Sequence, residues 1–262
     1  MDAELEEIEF LALSANRVRV LIALSQEPHT RGEIADATDA SQATIGRILQ
    51  DFEERSWLER HGNRYVATPT GELVANGFTD LLTIFEVEGK LRNIVTHLPT
   101  DALDFNLLHL ADATITTPSQ TRPNAPVQRV LELLGDADAV RIFSHAFNEQ
   151  SLTVIEERTT AGEQTFEAIF SQDVVDALTE RSELSRRLRA LLDTERAEIR
   201  VYDEEMPLAV TVADGVVHLL VRDENGILQA SLDTDHAAVR EWADRTFSEY
   251  WEAATPLDAG DL

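Results

Sequence analysis

The sequence predicts a mixed fold, α+β in its first part and α/β in its last. Three observations predict it. Residues 1–70 combine helical apolar periodicity with one short glycine-containing hairpin, residues 71–98 form one long helical pattern that stops at Leu98-Pro99, and residues 99–262 alternate strand-like and helical segments. We therefore predict a helical module with a hairpin, a connecting helix and an α/β domain, with those boundaries.

The first module begins with an apolar stripe over residues 18–24 that predicts a helix. Pro28 ends that helix. Thr30 and Glu33 have the spacing of a capping box, in which each side chain accepts a hydrogen bond from the other residue's backbone N–H. A second helix is therefore predicted over about residues 31–37.

A third helix is predicted over about residues 42–55, capped by Ser41 after a turn at residues 38–40. Apolar residues at spacing i, i+3, i+4, i+7 form its buried face: Ile45, Ile48, Leu49 and Phe52. The outward face is then formed by Ala43, Arg47, Gln50 and Glu54.

That outward face has the composition that DNA recognition needs. Small and hydrogen-bonding side chains near the start of a helix let it approach base edges in a major groove about 12 Å wide. Arg47 and Gln50 are candidates for reading bases, and Ser41 and Thr44 for binding phosphates. The same face also fits an ordinary solvated helix surface.

A β-hairpin follows, with two short strands on either side of the turn His61-Gly62-Asn63. Arg60, His61 and Arg64 lie at its tip. They are candidates for contacts with phosphate or with the minor groove.

Together the runs 31–35, 41–49, 58–60 and 65–71 resemble archaeal winged helix-turn-helix regulators of the ArsR/MarR-like kind. One departure is Asp39, where many such turns carry glycine, but Asp tolerates left-handed backbone. The resemblance implies double-stranded DNA as a partner. The predicted DNA-binding residues are Arg31, Ser41, Gln42, Ala43, Thr44, Arg47, Gln50, Arg60, His61 and Arg64. Winged helices also serve as protein-binding modules, and that alternative stays open.

The net charge of −27 normally argues against nucleic acid, because phosphates attract positive charge. A disordered acidic chain is opposed by the 43% apolar content. We favour adaptation to molar salt in a halophilic, haloarchaeal source, where a Debye length of about 3 Å weakens repulsion from DNA. Residues 16–67 hold seven Arg and eight acids, whereas residues 99–262 hold 13 Arg and 32 acids. The acidity therefore lies mostly outside the predicted DNA-binding module.

The connecting helix carries two apolar stripes that must be buried somewhere. The surface that covers these stripes belongs to the first module, to the C-terminal domain or to the same helix of a second chain. Regulators of this kind usually dimerise so that two recognition helices reach successive major grooves about 34 Å apart. We therefore expect a homodimer.

In the C-terminal domain, residues 140–144, 165–170 and 198–202 are predicted strands with helices between them, which indicates a parallel sheet. Three further strands joined by hairpins and a final helix over about residues 237–253 follow. Asp112-Ala113-Thr114-Ile115, Met206–Val210 and Phe247–Trp251 resemble the sensor domain of archaeal methanogenesis regulators of the FilR type.

The FilR-type resemblance implies a sheet distantly like that of phospholipase D. The phospholipase motif His-x-Lys is missing, since its nearest candidate, His145-Ala146-Phe147, lacks the lysine. We find no phosphate-binding loop, dinucleotide fingerprint, metal-ligand spacing or nucleophile elbow. We therefore expect no enzyme, no cofactor and no metal, with an enzyme in this domain as the weaker alternative.

A pocket for a small anionic effector is predicted at the carboxyl ends of the parallel strands. Its candidate residues are Ser144, His145, Ser171 and Arg187, the last from the densest basic cluster of an acidic domain. Alternatively, His145 caps a neighbouring helix and the arginines pair with surface acids.

The sequence has no cysteine, no basic-plus-apolar leader and no uncharged apolar run long enough to span a membrane. These features indicate a cytoplasmic protein without a membrane partner. Taken together, we expect a sequence-specific DNA-binding transcriptional regulator.

Overall fold

The computed structural model describes residues 1–38 and 40–261, and the chain divides into two compact units, Met1–Glu86 and Val87–Leu262. Asp39, at which the sequence analysis places a tolerated departure from glycine, lies outside the described residues. The mixed fold class predicted from the sequence is confirmed. Within the described part of the chain, no helix is long and apolar enough to cross a membrane.

The first unit contains the predicted helix-turn-helix and hairpin. Its helices are α1 (Asp2–Ala12), α2 (Ala15–Gln26), α3 (Arg31–Thr38) and α4 (Gln42–Glu54). Its strands are β1 (His29–Thr30), β2 (Leu58–His61) and β3 (Arg64–Ala67). The three strands form an antiparallel sheet in the order β1-β3-β2, so the hairpin β2–β3 is a wing beside the helices.

The capping box at the start of α3 is present on both sides. The Thr30 backbone N–H donates to Glu33 Oε2 at 2.7 Å, and the Glu33 N–H donates to Thr30 Oγ1 at 3.3 Å. The hydrogen bond from the Thr30 backbone holds the pKa of Glu33 below its usual value. A local sequence signal thus fixes where α3 begins.

Helix α1 precedes the first helix that the sequence predicts. It packs on the core of the first unit through Phe10. The ring of Phe10 lies 6.1 Å from the rings of both Phe52 and Trp57. The guanidinium carbons of Arg17 and Arg55 lie 4.0 and 3.7 Å from its centroid. These aromatic and cation–π contacts fix an acidic helix to the core of the unit.

Helix α5 spans Pro69–Leu91, so it ends seven residues before the predicted stop at Leu98. A 3-10 turn at Val95–His97 follows. Ile94 and Leu98 nevertheless remain buried in the core of the second unit, which explains why the apolar pattern continues beyond the α-helix.

The apolar residues of α5 are buried separately in the two units. Val74, Ala75 and Phe78 pack into the core of the first unit, whereas Val87 and Leu91 belong to a core of the second. Between these sets, three large apolar side chains stay exposed to solvent: Leu82, Ile84 and Phe85.

The second unit is built on one eight-stranded sheet in the order β11-β7-β6-β5-β8-β9-β10-β4. Its strands are β4 (Thr114–Thr116), β5 (Ala139–Ser144), β6 (Thr165–Ser171), β7 (Ala197–Tyr202), β8 (Ala209–Ala213), β9 (Val216–Arg222), β10 (Leu228–Thr234) and β11 (Thr255–Pro256). The predicted parallel set β5, β6, β7 is confirmed, and the remaining neighbours are antiparallel.

Helices cover both faces of this sheet. They are α6 (Ala125–Asp136), α7 (Glu149–Thr160), α8 (Gln172–Thr179), α9 (Ser182–Leu192) and α10 (Ala237–Ala253). One apolar core joins α6, α7, α8 and α9 to one sheet face, and a second core joins α10 and buried residues from 87–113 to the other. Both faces of the sheet are therefore buried, as expected for parallel strands.

Candidate nucleic-acid interface and ligand cavities

Helix α4 is positioned by the apolar face that the sequence predicts. Ile45, Ile48, Leu49 and Phe52 are all buried. Its start is capped by Ser41, whose Oγ accepts a hydrogen bond from the Thr44 N–H at 3.1 Å. The hydroxyls of Ser41 and Thr44 also lie 2.9 Å apart. Both side chains therefore have a structural role in addition to the phosphate contact predicted for them.

The outward face of α4 carries Gln42, Ala43, Arg47 and Gln50, all of them exposed. Gln50 Nε2 donates to Glu54 Oε1 at 3.0 Å. Arg47 has no hydrogen bond or ion pair within the described part of the chain. The helix thus presents a guanidinium group with its donors free, beside small and amide side chains.

Arg31 holds the start of α4. Its Nε donates to the Gln42 carbonyl oxygen at 3.1 Å, and its Nη2 donates to the same atom. A Cβ on Gly46 would lie only 2.6 Å from Arg31 Nη2, so glycine makes room for this guanidinium. Arg31 is therefore a positioning residue for α4, and one edge of its guanidinium is occupied.

The predicted basic side chains of the wing all have hydrogen-bond partners nearby. Arg60 Nε donates to the Gly62 carbonyl oxygen at 2.8 Å, and His61 Nε2 lies 2.8 Å from Glu59 Oε1. Arg64 donates to the Pro28 carbonyl oxygen at 2.7 Å and pairs with Glu33 at 3.3 Å. All three side chains remain exposed, so a phosphate would compete with these weak surface contacts.

In the second unit, the structure brings two of the four predicted ligand residues together. His145 and Ser171 line an open cleft at the carboxyl ends of the parallel strands, where the sequence analysis places the pocket. The same cleft is lined by four carboxylic acids: Asp173, Asp203, Glu204 and Glu205. These carboxylates repel an anion, so the cleft does not suit the effector that we expect from the sequence.

Ser144 and Arg187 lie outside that cleft. Ser144 is buried, and its Oγ donates to the Ala146 carbonyl oxygen at 2.5 Å while accepting from the Ala146 N–H at 3.1 Å. Arg187 pairs with Glu156 at 2.6 Å and with Glu183 at 3.5 Å. In the structure, Arg187 therefore follows the alternative given in the sequence analysis, in which the arginines of the basic cluster pair with acidic residues.

A buried polar network, which the sequence analysis does not identify, links β9, β10 and α6. Asp233 Oδ1 is hydrogen-bonded to His218 Nδ1, and Arg129 Nε donates to Asp233 Oδ2 at 2.6 Å. His218 and Asp233 are 1% and 5% exposed at their side chains. Burial raises the pKa of Asp233, but the hydrogen bonds from His218 and Arg129 outweigh it, so the pKa lies below its usual value.

The signal that could have revealed this network is a polar residue at an inward position of a strand. His218 and Asp233 are opposite each other in the register of β9 and β10 and face the same side of the sheet. Among the described residues, no group of three or more histidine and acidic side chains is arranged to hold a metal ion.

Solved structures that are similar to this chain include the archaeal chromatin protein TrmBL2, NucT from Helicobacter pylori and a transcriptional regulator from Rhodococcus sp. RHA1. TrmBL2 is 14% identical, with a TM-score of 0.45 over 95% of this chain and 96% of its own. NucT is 13% identical, with a TM-score of 0.44 over 55% and 98%. The Rhodococcus regulator is 15% identical, with a TM-score of 0.28 over 92% and 93%. These values are too low to transfer a function.

No curated protein matches the sequence. Two family models do match it. Residues 5–90 match the HVO_A0261 N-terminal domain, and residues 123–253 match the middle domain of the methanogenesis regulatory protein FilR1. Since the second model covers half of the chain and agrees with the resemblance noted in the C-terminal sequence, the protein belongs to the family defined by the FilR1 middle domain.

Proposed function

We propose that this protein is a transcriptional regulator that binds double-stranded DNA through α4 and the wing. The observation that carries the proposal is the outward face of α4. Its amide and small side chains surround Arg47, whose guanidinium has no acidic partner within the described residues. Membership of a family named for a regulatory protein supports the same function.

The distribution of charge also supports DNA as the partner. With seven arginines and eight acids, residues 16–67 are close to neutral in a chain of net charge −27. Arg47 and Gln50 would read base edges, while Arg31, Ser41, Gln42, Ala43 and Thr44 would let the start of α4 approach the groove. Arg60, His61 and Arg64 would contact the backbone beside it.

The test is a binding assay with the full chain and a library of genomic fragments that includes the promoter of its own gene. It is run in molar potassium chloride, since the composition favours a halophilic source. Specific enrichment of a DNA sequence is expected. Binding of no fragment above background would overturn the proposal and favour the alternative of a protein-binding winged helix.

Arg47→Ala is expected to weaken binding to the selected operator by about 1–3 kcal/mol, because a bidentate contact to a guanine would be lost. Binding to unrelated DNA should change less than binding to the operator. Fluorescence anisotropy of labelled duplexes measures both. Arg186→Ala is the matched control, since it removes an arginine that is also exposed, from α9 in the other unit. Unchanged discrimination in Arg47→Ala would refute the base-reading role.

We further propose that the protein is a homodimer that uses the exposed part of α5. Leu82, Ile84 and Phe85 are 46%, 45% and 61% exposed, so three large apolar side chains within four residues have no cover. A helix with such a segment is stabilised when a second apolar surface covers it.

Phe85→Glu is expected to convert the dimer into a monomer, because it places a charge where apolar surface would be buried. Light scattering coupled to size-exclusion chromatography gives the mass. Ile227→Glu is the control, since Ile227 is an equally large apolar side chain that is 60% exposed on the second unit, between β9 and β10. A monomeric wild-type protein, or a dimer that survives in Phe85→Glu, would contradict this interface.

The second unit is proposed to bind a small effector, and we assign no reaction to it. Effector binding would change DNA affinity only if the ligand binds two states of the protein with different affinity.

A further inference from the structure

A cavity of about 60 Å³ lies between the sheet and helices α6 and α7. Its wall is almost entirely apolar and includes Val130, Leu134, Leu152, Ile155, Phe166 and Phe170. The polar side chains that reach it are Ser144, Asn148, Ser151, Thr211 and Arg222. It is distinct from the acidic cleft of His145 and Ser171.

Arg222, at the end of β9, is the charged group on this wall. Its Nη1 donates to the Gly226 carbonyl oxygen at 2.9 Å. Its Nε is buried and has no hydrogen-bond partner. No carboxylate lies within ion-pairing distance of Arg222 among the residues that the structure describes. Burial lowers the pKa of this arginine, but a guanidinium remains charged at any physiological pH.

The absence of a partner is unusual in this protein. The chain has 49 acids for 22 basic residues, and partly buried arginines elsewhere are paired: Arg129 with Asp233, Arg187 with Glu156, and Arg200 with Glu198. A buried charge is normally paired, because an unpaired one loses its hydration without compensation. An arginine that no acid satisfies, on the wall of an apolar cavity, has the chemistry of a site for an anion with an apolar body.

We propose that this cavity binds a small aliphatic monocarboxylate. The carboxylate would pair with the guanidinium of Arg222, and the alkyl body would lie among the apolar side chains of the wall. The inference rests on the effector-binding part of the proposed function and names the chemical class of that effector. It keeps the anion expected from the sequence, but places it on Arg222 instead of Arg187.

The size and the polar groups of the cavity narrow the ligand further. With a volume of about 60 Å³, the cavity has room for an alkyl body of only a few carbon atoms. The start of α7 does not offer free donors for a larger anion, because Asn148 Oδ1 already accepts from the N–H groups of Gln150 and Ser151. A short or branched acid with one charge fits these limits.

The test uses the full chain in molar potassium chloride without DNA. Calorimetric titrations compare acetate, propionate, isobutyrate and isovalerate, with isovaleramide as the uncharged analogue of the last acid. We expect at least one acid to bind and to raise the melting temperature, and we expect the amide not to do so. This comparison needs no variant. Equal binding of acid and amide, or binding of no acid in the series, would overturn the proposal.

Arg222→Met tests the residue itself. It should raise the Kd of the best acid at least tenfold, while the melting temperature of the ligand-free protein stays the same or rises, since an unpaired charge is removed from a partly buried position. A purely structural arginine would instead give a lower melting temperature and an unchanged Kd. Arg186→Met, at an exposed arginine that does not line the cavity, is the control and should leave the Kd unchanged.

The outcome separates this inference from the proposed regulatory function. Carboxylate binding by a protein that binds no DNA would keep the cavity assignment and refute the regulator. DNA binding together with no response to any acid would do the opposite.

Discussion

Asp233→Ala is expected to lower the free energy of unfolding of the second unit by about 3 kcal/mol, because removing one partner of a buried ion pair leaves the other uncompensated. Asp233 is 5% exposed, and it accepts hydrogen bonds from both Arg129 and His218. The alanine leaves a partly buried guanidinium and a fully buried imidazole without an acceptor. Arg129 is 35% exposed and can recover some hydration, which keeps the expected loss at the low end of the range for buried pairs.

Chemical denaturation measures this loss of unfolding free energy. Hydrogen exchange then shows which part of the protein is destabilised. Glu132→Ala is the matched control, since Glu132 also pairs with Arg129 but is 63% exposed. That control should change stability by at most about 0.5 kcal/mol, as most surface substitutions do. Adding Arg129→Met to Asp233→Ala should restore part of the stability. Equal effects of Asp233→Ala and Glu132→Ala would show that the network is not a stabilising one.

The same network predicts how this stability depends on pH. The pKa of Asp233 is lower in the folded protein than its usual value, so folding favours the carboxylate. Its contribution is therefore fully present above the unfolded pKa of about 3.9 and is lost as the pH falls through the lower folded pKa. The difference in unfolding free energy between wild type and Asp233→Ala should accordingly be constant near neutral pH and shrink below about pH 4.

Gly71→Ala is expected to destabilise the first unit by about 3 kcal/mol or more, at the upper end of the cost of inserting a methyl group into a packed site. A Cβ at Gly71 would lie 2.0 Å from the carbonyl oxygen of Trp57, an impossible contact with backbone. That carbonyl oxygen cannot move freely, because it accepts a hydrogen bond from the Thr68 N–H at 2.9 Å. Either the segment that leads into β2 or the start of α5 must shift.

Gly77→Ala on the same helix is the control for Gly71→Ala. Nothing lies within 4 Å of a Cβ at Gly77, so alanine should stabilise the helix by about 0.5–1 kcal/mol. Differential scanning calorimetry of both variants, with hydrogen exchange to locate the change, gives the comparison. Two variants with the same stability would contradict the close approach of Gly71 to Trp57.

Some of the candidate site follows from local signals alone. The start of α3 follows from the capping box of Thr30 and Glu33. The buried face of α4 follows from its apolar periodicity: Ile45, Ile48, Leu49 and Phe52. The outward position of Arg47 then follows from its place in the sequence between these apolar residues. The hairpin between β8 and β9 follows from Asp214-Gly215, whose backbone has φ of 46° and 85°. These features are short-range, because helix periodicity, capping and turn chemistry act over a few neighbouring residues.

The pairing of charges could not be predicted in this way. Arg187 stands in the densest basic cluster of the sequence, yet it pairs with Glu156, 31 positions away. Arg222 has no such cluster around it, yet it is the partly buried arginine for which the described residues provide no acidic partner. Arg129 meets Asp233 across 104 positions. With 49 acids in the chain, the sequence offers too many partners to choose among.

By itself, then, the sequence determined the mixed fold, the helix-turn-helix with its wing, the presence of three parallel strands and the outward face of α4. Only the tertiary structure decided that α1 docks through Phe10, that α5 leaves Leu82, Ile84 and Phe85 uncovered, and that Arg222 lines an apolar cavity without an acidic partner among the described residues. The reason is physical: local elements are fixed by contacts within a few residues, whereas burial and charge pairing depend on which distant segments the packed sheet and its helices bring together.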